Sequence, residues 1–299
     1  MSLSPDLISK LVKLALDEDL NTDKDDTSSG LSTTGDITAL LIPHTQTANA
    51  IVITREDCIF CGKALVEEVF KQVNILSNSD VTLEFLINDG DAVKANSILF
   101  IATGSARAIL TAERTALNFV QTLSGTATTT SLCVKELEGT TTQLLDTRKT
   151  LPGLRQLQKY AVKCGGGQNH RIGLFDAFLI KENHIAACGG INQAVTAAKH
   201  SIAKQDNPSI KIEVEVENFA ELEQAINAGA DIIMLDNFTV EQIQQAVTFT
   251  DKRAKLEVSG NMTIETLKQY SQAGVDFISS GALTKHVNAV DLSMRFSNN

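Results

Sequence analysis

No apolar run in these 299 residues approaches the ~20 that a bilayer-spanning helix requires. The opening MSLSPDLISK has no apolar signal core either, so a cytoplasmic protein is expected. Positive charge is scarce as well. Lys and Arg number 26 against 36 Asp and Glu, a net −10, which argues against a nucleic-acid partner. The five cysteines (Cys58, Cys61, Cys133, Cys164, Cys188) are odd in number and scattered, so they make no disulfide framework. Cys58 and Cys61 form a C-x-x-C, but no second ligand pair at zinc spacing accompanies it. All five are expected to be buried, reduced small residues. With 43% hydrophobic and 21% charged residues, the chain has the composition of a globular enzyme of one large domain or two modest ones.

The scarce positive charge is concentrated. From Asp146 to His184, seven Lys and Arg face only three acids. A basic island in an acidic chain suits a small polyanion. TQLLD (142–146) reads as a short buried strand, Pro152 as the first turn of a helix, and Gly165–Gly167 as its end. AFLIK (177–181) reads as the next strand. Arg148 and Lys149 then follow the carboxyl end of one strand and Lys181 closes another, where α/β sheets and barrels place ligands. Arg155, Lys159 and Lys163 fall four apart and read as an exposed helix face. Arg148, Lys149, Arg171 and Lys181 abut apolar strands or turns, where a cation needs a partner. Nearby acids are too few, and a bound anion supplies the simplest one.

Around this island the chain falls into two parts. Residues 4–16 carry Leu7, Ile8, Leu11, Leu14 and Ala15 at helical spacing behind Ser4 and Pro5. The polar stretch from Asn21 to Gly35 has no periodicity and reads as a loop. Strands are expected at 48–54, 81–87 and 98–103, with a helix at 63–73, giving a small unit on a mostly antiparallel sheet. A long helical pattern starts at Thr111. There Arg114 reads, on spacing alone, as a surface charge paired with Glu113.

Beyond the island, strands at 210–216, 231–235, 255–259 and 275–279 alternate with helical stretches, the βαβ repetition of a parallel sheet. In IKIEVEV, Ile210, Ile212, Val214 and Val216 share one face and leave Lys211, Glu213 and Glu215 on the other, which is costly unless they line a site. Asp146, Lys181, Glu215, Asp236, Ser259 and Ser280 all end predicted strands. Helix capping is the competing explanation for Asp236 and Ser259. The Ser-Gly turns at 259–260 and 280–281 could offer backbone N–H groups to a phosphate.

The runs DTRKTLPGLR, KYAVKCGGGQNHR and LIKENHI resemble the quinolinate phosphoribosyltransferase family. GDIT (35–38), ATGSARAILTAERTALN (102–118), EVEVEN (213–218), LDNF (235–238), EVSGN (257–261) and ISSGALT (278–284) match the family pattern in its order. The resemblance implies an N-terminal α/β sandwich domain (1–117, with the tail 286–299 packing back on it) and a C-terminal open α/β barrel (118–285), in a homodimer with shared active sites. It implies transfer of ribose 5-phosphate from phosphoribosyl pyrophosphate (PRPP) to quinolinate, with Mg²⁺ and loss of CO₂, in NAD biosynthesis. Carried over, it makes Arg148, Lys149, His170, Arg171 and Lys181 ligands of quinolinate and phosphate, and Arg114 a quinolinate ligand reaching across the dimer. Glu215 and Asp236 would serve the ribose hydroxyls and the metal-bound pyrophosphate, the metal held through pyrophosphate or water. Ser259-Gly260-Asn261 and Ser280-Gly281-Ala282 would hold the 5-phosphate, with Lys149, Lys181, Glu215 and Asp236 as the catalytic set. Two departures from the pattern stand out: a longer polar segment at 21–34, and Leu151 in place of a small polar residue.

Two other readings compete. An aldolase-like barrel lyase would use Lys181 as a Schiff base, which needs that amine kept neutral. A carrier module is suggested by 81–104, which resembles biotinyl or lipoyl carrier sheets, although no lysine occupies a hairpin tip suited to modification.

Overall fold

The computed structural model describes residues 3–21, 35–205, 207–260 and 262–297. The polar stretch read as a loop lies, from residue 22 to 34, outside the described residues. Two compact units emerge. One comprises Met1–Thr129, Lys163–Gly165 and Val287–Asn299, the other Thr130–Val162 and Gly166–His286.

The first unit opens with α1 (Pro5–Leu20), where Ser4 Oγ accepts the Leu7 N–H at 3.2 Å and Pro5 occupies the first turn. Its buried stripe is Ile8, Val12, Leu16 and Leu20, while Leu14, read as part of that face, is 66% exposed. Then come β1 (Thr47–Thr54), β2 (Cys58–Ile59), α2 (Lys63–Ser77), β3 (Thr82–Phe85), β4 (Ala92–Val93), β5 (Ile98–Ser105) and α3 (Ala106–Lys135). β1 and β3 each pair antiparallel with β5. Helix α3 runs without a break through 117/118, the expected domain boundary, and the two units part at 129/130 within it. Cys58, Cys61 and Cys133 are buried, but Cys164 is half-buried and Cys188 exposed, so burial was wrongly expected for those two.

The second unit continues with β6 (Gln143–Leu145), α4 (Arg155–Cys164), β7 (Ala177–Ile180), α5 (Glu182–Cys188), α6 (Ile191–Gln205), β8 (Lys211–Val216), α7 (Phe219–Ala228), β9 (Ile232–Asp236), α8 (Val240–Thr250), β10 (Lys255–Ser259), α9 (Ile264–Gln272), β11 (Phe277–Ser279) and α10 (Ala282–Lys285). Its six strands are parallel, in the order β6-β11-β10-β9-β8-β7, which makes an open α/β barrel. Strand alternation sorts the side chains. Ile212, Val214, Val216, Ile233, Leu235, Leu256, Val258 and Ile278 join Leu222, Ile243 and Leu267 of the helices in one core. The other face of the same strands carries Glu213, Glu215, Asp236, Glu257 and Ser259. Pro152 does not start a helix. Gly153 turns the chain at φ 77° and α4 begins at Arg155.

The last strand, β12 (Leu292–Phe296), returns to pair antiparallel with β1 in the first unit's sheet.

Candidate active site

The carboxyl ends of the barrel strands assemble most of the expected residues. Ile180 pairs with Val214, so the next residues along, Lys181 and Glu215, meet in an ion pair. Ser259 stands level with Asp236 on one side and Ser279 on the other. Neither Asp236 nor Ser259 caps a helix. Thr239 caps α8, with the Gln242 N–H at 3.3 Å, and Thr263 caps α9. Their polar groups are thus left for the strand-end face. Asn261 lies outside the described residues.

Lys149 is exposed yet laid across the Ser280-Gly281-Ala282 turn. A Cβ on Gly281 would meet Lys149 Cδ at 2.8 Å, so glycine is what lets the lysine lie there. The two segments are fastened together. Thr284 Oγ1 donates to the Lys149 carbonyl at 2.7 Å, and buried Gln158 donates to the Thr284 carbonyl at 2.7 Å while accepting the Leu151 N–H at 2.8 Å. Leu151, the departure from the family pattern, is thus held through its backbone N–H by a buried partner.

Arg148 and Arg171 form the cationic centre. Burial lowers the pKa of Arg171 first, and the neighbouring Arg148 charge lowers it further. Each has a buried Nε with no hydrogen-bond partner among the described residues. Arg171 Nη1 donates to the Ala177 carbonyl at 3.1 Å. Asp176, the nearby acid, is spent on the backbone N–H groups of Ile172 (2.7 Å) and Gly173 (2.9 Å). Two like charges with unanswered donors are what an anion neutralises.

The exposed helix face expected for Arg155, Lys159 and Lys163 holds only for Lys163. Arg155 bonds Thr150 Oγ1 (3.1 Å), the Ile172 carbonyl (3.1 Å) and the Arg148 carbonyl (3.3 Å), tying together the loops after β6 and before β7. Lys159 is fully buried and paired with Asp146. Asp146, expected to face the site, also accepts from Asn169 Nδ2 at 2.6 Å and from the His170 N–H at 2.9 Å. Burial pushes its carboxyl up and the Lys159 ammonium down, and their mutual attraction opposes both shifts. Four-residue spacing misled here because a helix against a strand end can bury a cation that meets a carboxylate.

His170 is turned into the barrel. Its Nδ1 accepts the Arg171 N–H at 2.7 Å, and its Nε2 lies 3.0 Å from Glu213 and 3.6 Å from Glu257. Both ring nitrogens are therefore engaged by the protein. Burial lowers its pKa, but the Glu213 bond and the charges of Glu213 and Glu257 outweigh that and raise it. The Arg171 N–H, aimed at a lone pair on Nδ1, opposes double protonation and favours the neutral ring with hydrogen on Nε2. Burial and the charge of Glu213 push Glu257 up to about 8. His170, Arg171, Glu213 and Glu257 line one cavity of about 460 Å³. Glu257 was missed at the sequence level. The alternation that singled out Glu213 in IKIEVEV applies equally to KLEVS, where Lys255, Glu257 and Ser259 share a face.

Arg114 is exposed on α3 in the first unit. Lys181 is held in an ion pair with Glu215, whereas a Schiff-base lysine must leave its amine free to attack a carbonyl. Lys94, the lysine nearest the β4–β5 turn, is in an exposed ion pair with Asp57. Neither competing reading gains support, and among the described residues no helix is long and apolar enough to cross a membrane.

Residues 36–124 match the sequence model of the quinolinate phosphoribosyl transferase N-terminal domain, and residues 126–295 that of the C-terminal domain. The chain is 41% identical, over 87% of its length and 88% of the relative's, to a probable nicotinate-nucleotide pyrophosphorylase [carboxylating] of Bacillus subtilis. It is 38% identical, over 95% of its length and 81% of the relative's, to a chloroplastic nicotinate-nucleotide pyrophosphorylase [carboxylating] of Arabidopsis thaliana. The solved structure of nicotinate-nucleotide pyrophosphorylase from Francisella tularensis covers 99% of this chain and 98% of its own, with 47% identity and a TM-score of 0.90.

Proposed function

The chain belongs to the quinolinate phosphoribosyltransferase family, and from that premise we infer that its barrel transfers ribose 5-phosphate from PRPP to quinolinate with loss of CO₂. The observation that carries this reading to the residues is the Arg148–Arg171 pair, whose buried Nε donors have no protein partner among the described residues. Quinolinate is a pyridine with adjacent carboxylates, and guanidinium forks bind carboxylates in a planar, two-pronged way.

The chemistry asks mainly for placement and neutralisation. The pyridine nitrogen has its own lone pair and attacks the ribose carbon without an activated side-chain nucleophile. As the bond to pyrophosphate breaks, positive charge develops on the ribose, where Glu215 or Asp236 stabilises it. Lys149 and the Ser280–Ala282 turn, already side by side, suit the 5-phosphate, with Ser259 and Gly260 on the neighbouring strand end. Lys181, next to Glu215, balances the negative charge gathered there. Alkylation leaves the ring nitrogen cationic, so the electrons of the breaking C2–carboxylate bond stay on the ring as CO₂ departs and C2 then takes up a proton.

The carboxylates of Glu215 and Asp236 are the hard oxygen donors that suit Mg²⁺. Held there through pyrophosphate or water, Mg²⁺ would neutralise charge on the leaving group. The assembly is a homodimer in which Arg114 of one subunit reaches the partner's site, in keeping with its exposure on α3. Release of CO₂ and nicotinate mononucleotide from quinolinate, PRPP and Mg²⁺ tests the reading, and absence of both products overturns it.

A further inference from the structure

Two acids have no part in the chemistry above. Glu213 and Glu257 sit on the interior face of β8 and β10, 2% and 0% exposed. Glu213 reaches His170 Nε2, but its Oε1 and both oxygens of Glu257 have no hydrogen-bond partner among the described residues. Buried ionised carboxylates left this way are strongly disfavoured, so something must lie between them.

Either a cation or a proton would do. The ligand atoms of His170, Glu213 and Glu257 all lie within 4.8 Å of one another, close enough to cage a metal ion. The imidazole decides against it. A ligating histidine gives a lone pair to the metal and donates its other ring N–H to an acceptor. In His170 the other nitrogen is Nδ1, which accepts the Arg171 N–H at 2.7 Å. The ring hydrogen is therefore on Nε2, facing Glu213, and no lone pair faces the acids. A metal there would require an imidazolate or a rotated ring that abandons the Arg171 N–H.

We propose that Glu257 is a neutral carboxylic acid donating its hydrogen bond to Glu213 Oε1, and that the chain Glu257–Glu213–His170–Arg171 N–H positions Arg171 for its substrate carboxylate. One hydrogen answers Glu213 Oε1 and one oxygen of Glu257, and the buried Ser279 hydroxyl, a hydrogen-bonding neighbour of Glu257, is at hand for the other. Glu213 keeps a single negative charge and holds the ring by Nε2–H, and the ring in turn holds the backbone of Arg171. The direction of the Glu257 shift, set by burial and by Glu213, agrees with this. Glu213 and Glu257 are thus positioning residues, since they act through His170. The arrangement also leaves one anion rather than two beneath a pocket that must accept a dicarboxylate.

The proposal rests on the quinolinate reading only for its kinetic arm. The direct arm is an infrared difference spectrum of the full-length protein near neutral pH, wild type against Glu257→Gln. The carbonyl stretch of a protonated carboxyl should be present in the wild type and lost in the variant. In the kinetic arm, Glu257→Gln can still donate from its amide and should keep the quinolinate KM within about threefold of wild type, whereas Glu257→Leu should raise it about tenfold or more with little change in kcat. No protonated carboxyl in the wild type, a stoichiometric divalent metal lost with Glu257→Gln, or equal KM values for the Gln and Leu variants would each overturn it. If Glu257→Leu does not fold, the infrared arm still decides. Wild-type protein that fails to turn over quinolinate counts against the function and leaves the infrared result standing.

Discussion

Lys159 and Asp146 form an ion pair in which neither side chain has any exposed surface. Lys159 Nζ also donates to the His170 carbonyl at 2.9 Å, and Asp146 accepts the His170 N–H at 2.9 Å, so the pair holds both backbone polar groups of the residue before Arg171. Lys159→Ala would leave a buried carboxylate without its cation. The expected loss of stability is about 3–5 kcal/mol, read as a fall in the urea midpoint. Lys159→Met combined with Asp146→Asn should lose less than Lys159→Ala, because neither charge is then stranded. A Lys159→Ala variant as stable as wild type would show that the pair is dispensable.

Arg148 and Glu215 should fail in different ways. Arg148→Ala or Arg171→Ala removes a charged donor pair and should weaken quinolinate binding by ~2–4 kcal/mol while the fold survives. Nicotinate, with one carboxylate fewer, should be a poor substrate of the wild type for the same reason. Glu215→Ala should instead lower kcat with quinolinate affinity nearly intact, because its charge counts as the ribose cation develops. Steady-state kinetics separates the two, and a Glu215→Ala effect confined to the quinolinate KM would contradict the assignment.

Stability should also fall toward alkaline pH. The Glu257 carboxyl sits at about 8 in the folded protein against an ordinary 4.5. A group raised in this way contributes stability that is complete below the ordinary value and is lost as pH rises through the folded one. Chemical denaturation of the wild type should therefore show a decline of a few kcal/mol between about pH 5 and pH 9, and Glu257→Gln, which cannot ionise, should flatten most of it. Parallel profiles for the two proteins would refute this account.

The parts of the molecule legible in the sequence were those set by strand alternation and helix ends. IKIEVEV announced which face of β8 holds charge, Ser4 announced the start of α1, and Lys181 and Glu215 were each expected at a strand end, where the structure pairs them. What could not be read was which polar groups meet across the sheet. Lys159 has the spacing of a solvated lysine and becomes a core residue only because β6 ends in Asp146 beside α4. His170 sits in a run that names a ligand, yet its ring is engaged on both sides by Arg171 and Glu213. Glu257 shares a face with Ser259 by simple alternation, but its meeting with Glu213 depends on the curvature of an intervening strand, β9. Spacing within an element fixes faces, whereas contacts between elements wait on the closure of the sheet.

The shared site proposed for the dimer has a decisive test in subunit mixing. Arg114 is exposed on α3, belongs to the unit that precedes the barrel strands, and lies within the stretch that matches the family pattern around ERTALN. Lys181 belongs to the barrel, in an ion pair with Glu215. If Arg114 serves the partner's barrel, each active site draws these two residues from different chains. Arg114→Ala and Lys181→Ala homodimers should each be inactive, since every site lacks one of the pair. In a heterodimer of the two variants, one site carries both defects and the other carries neither. Mixing under conditions that let subunits exchange should therefore restore activity, with up to about half of the sites in each heterodimer working. A mass measurement on differently tagged subunits would prove that exchange occurred. Proven exchange with no regained turnover would mean that Arg114 acts within its own chain, or has no part in the reaction.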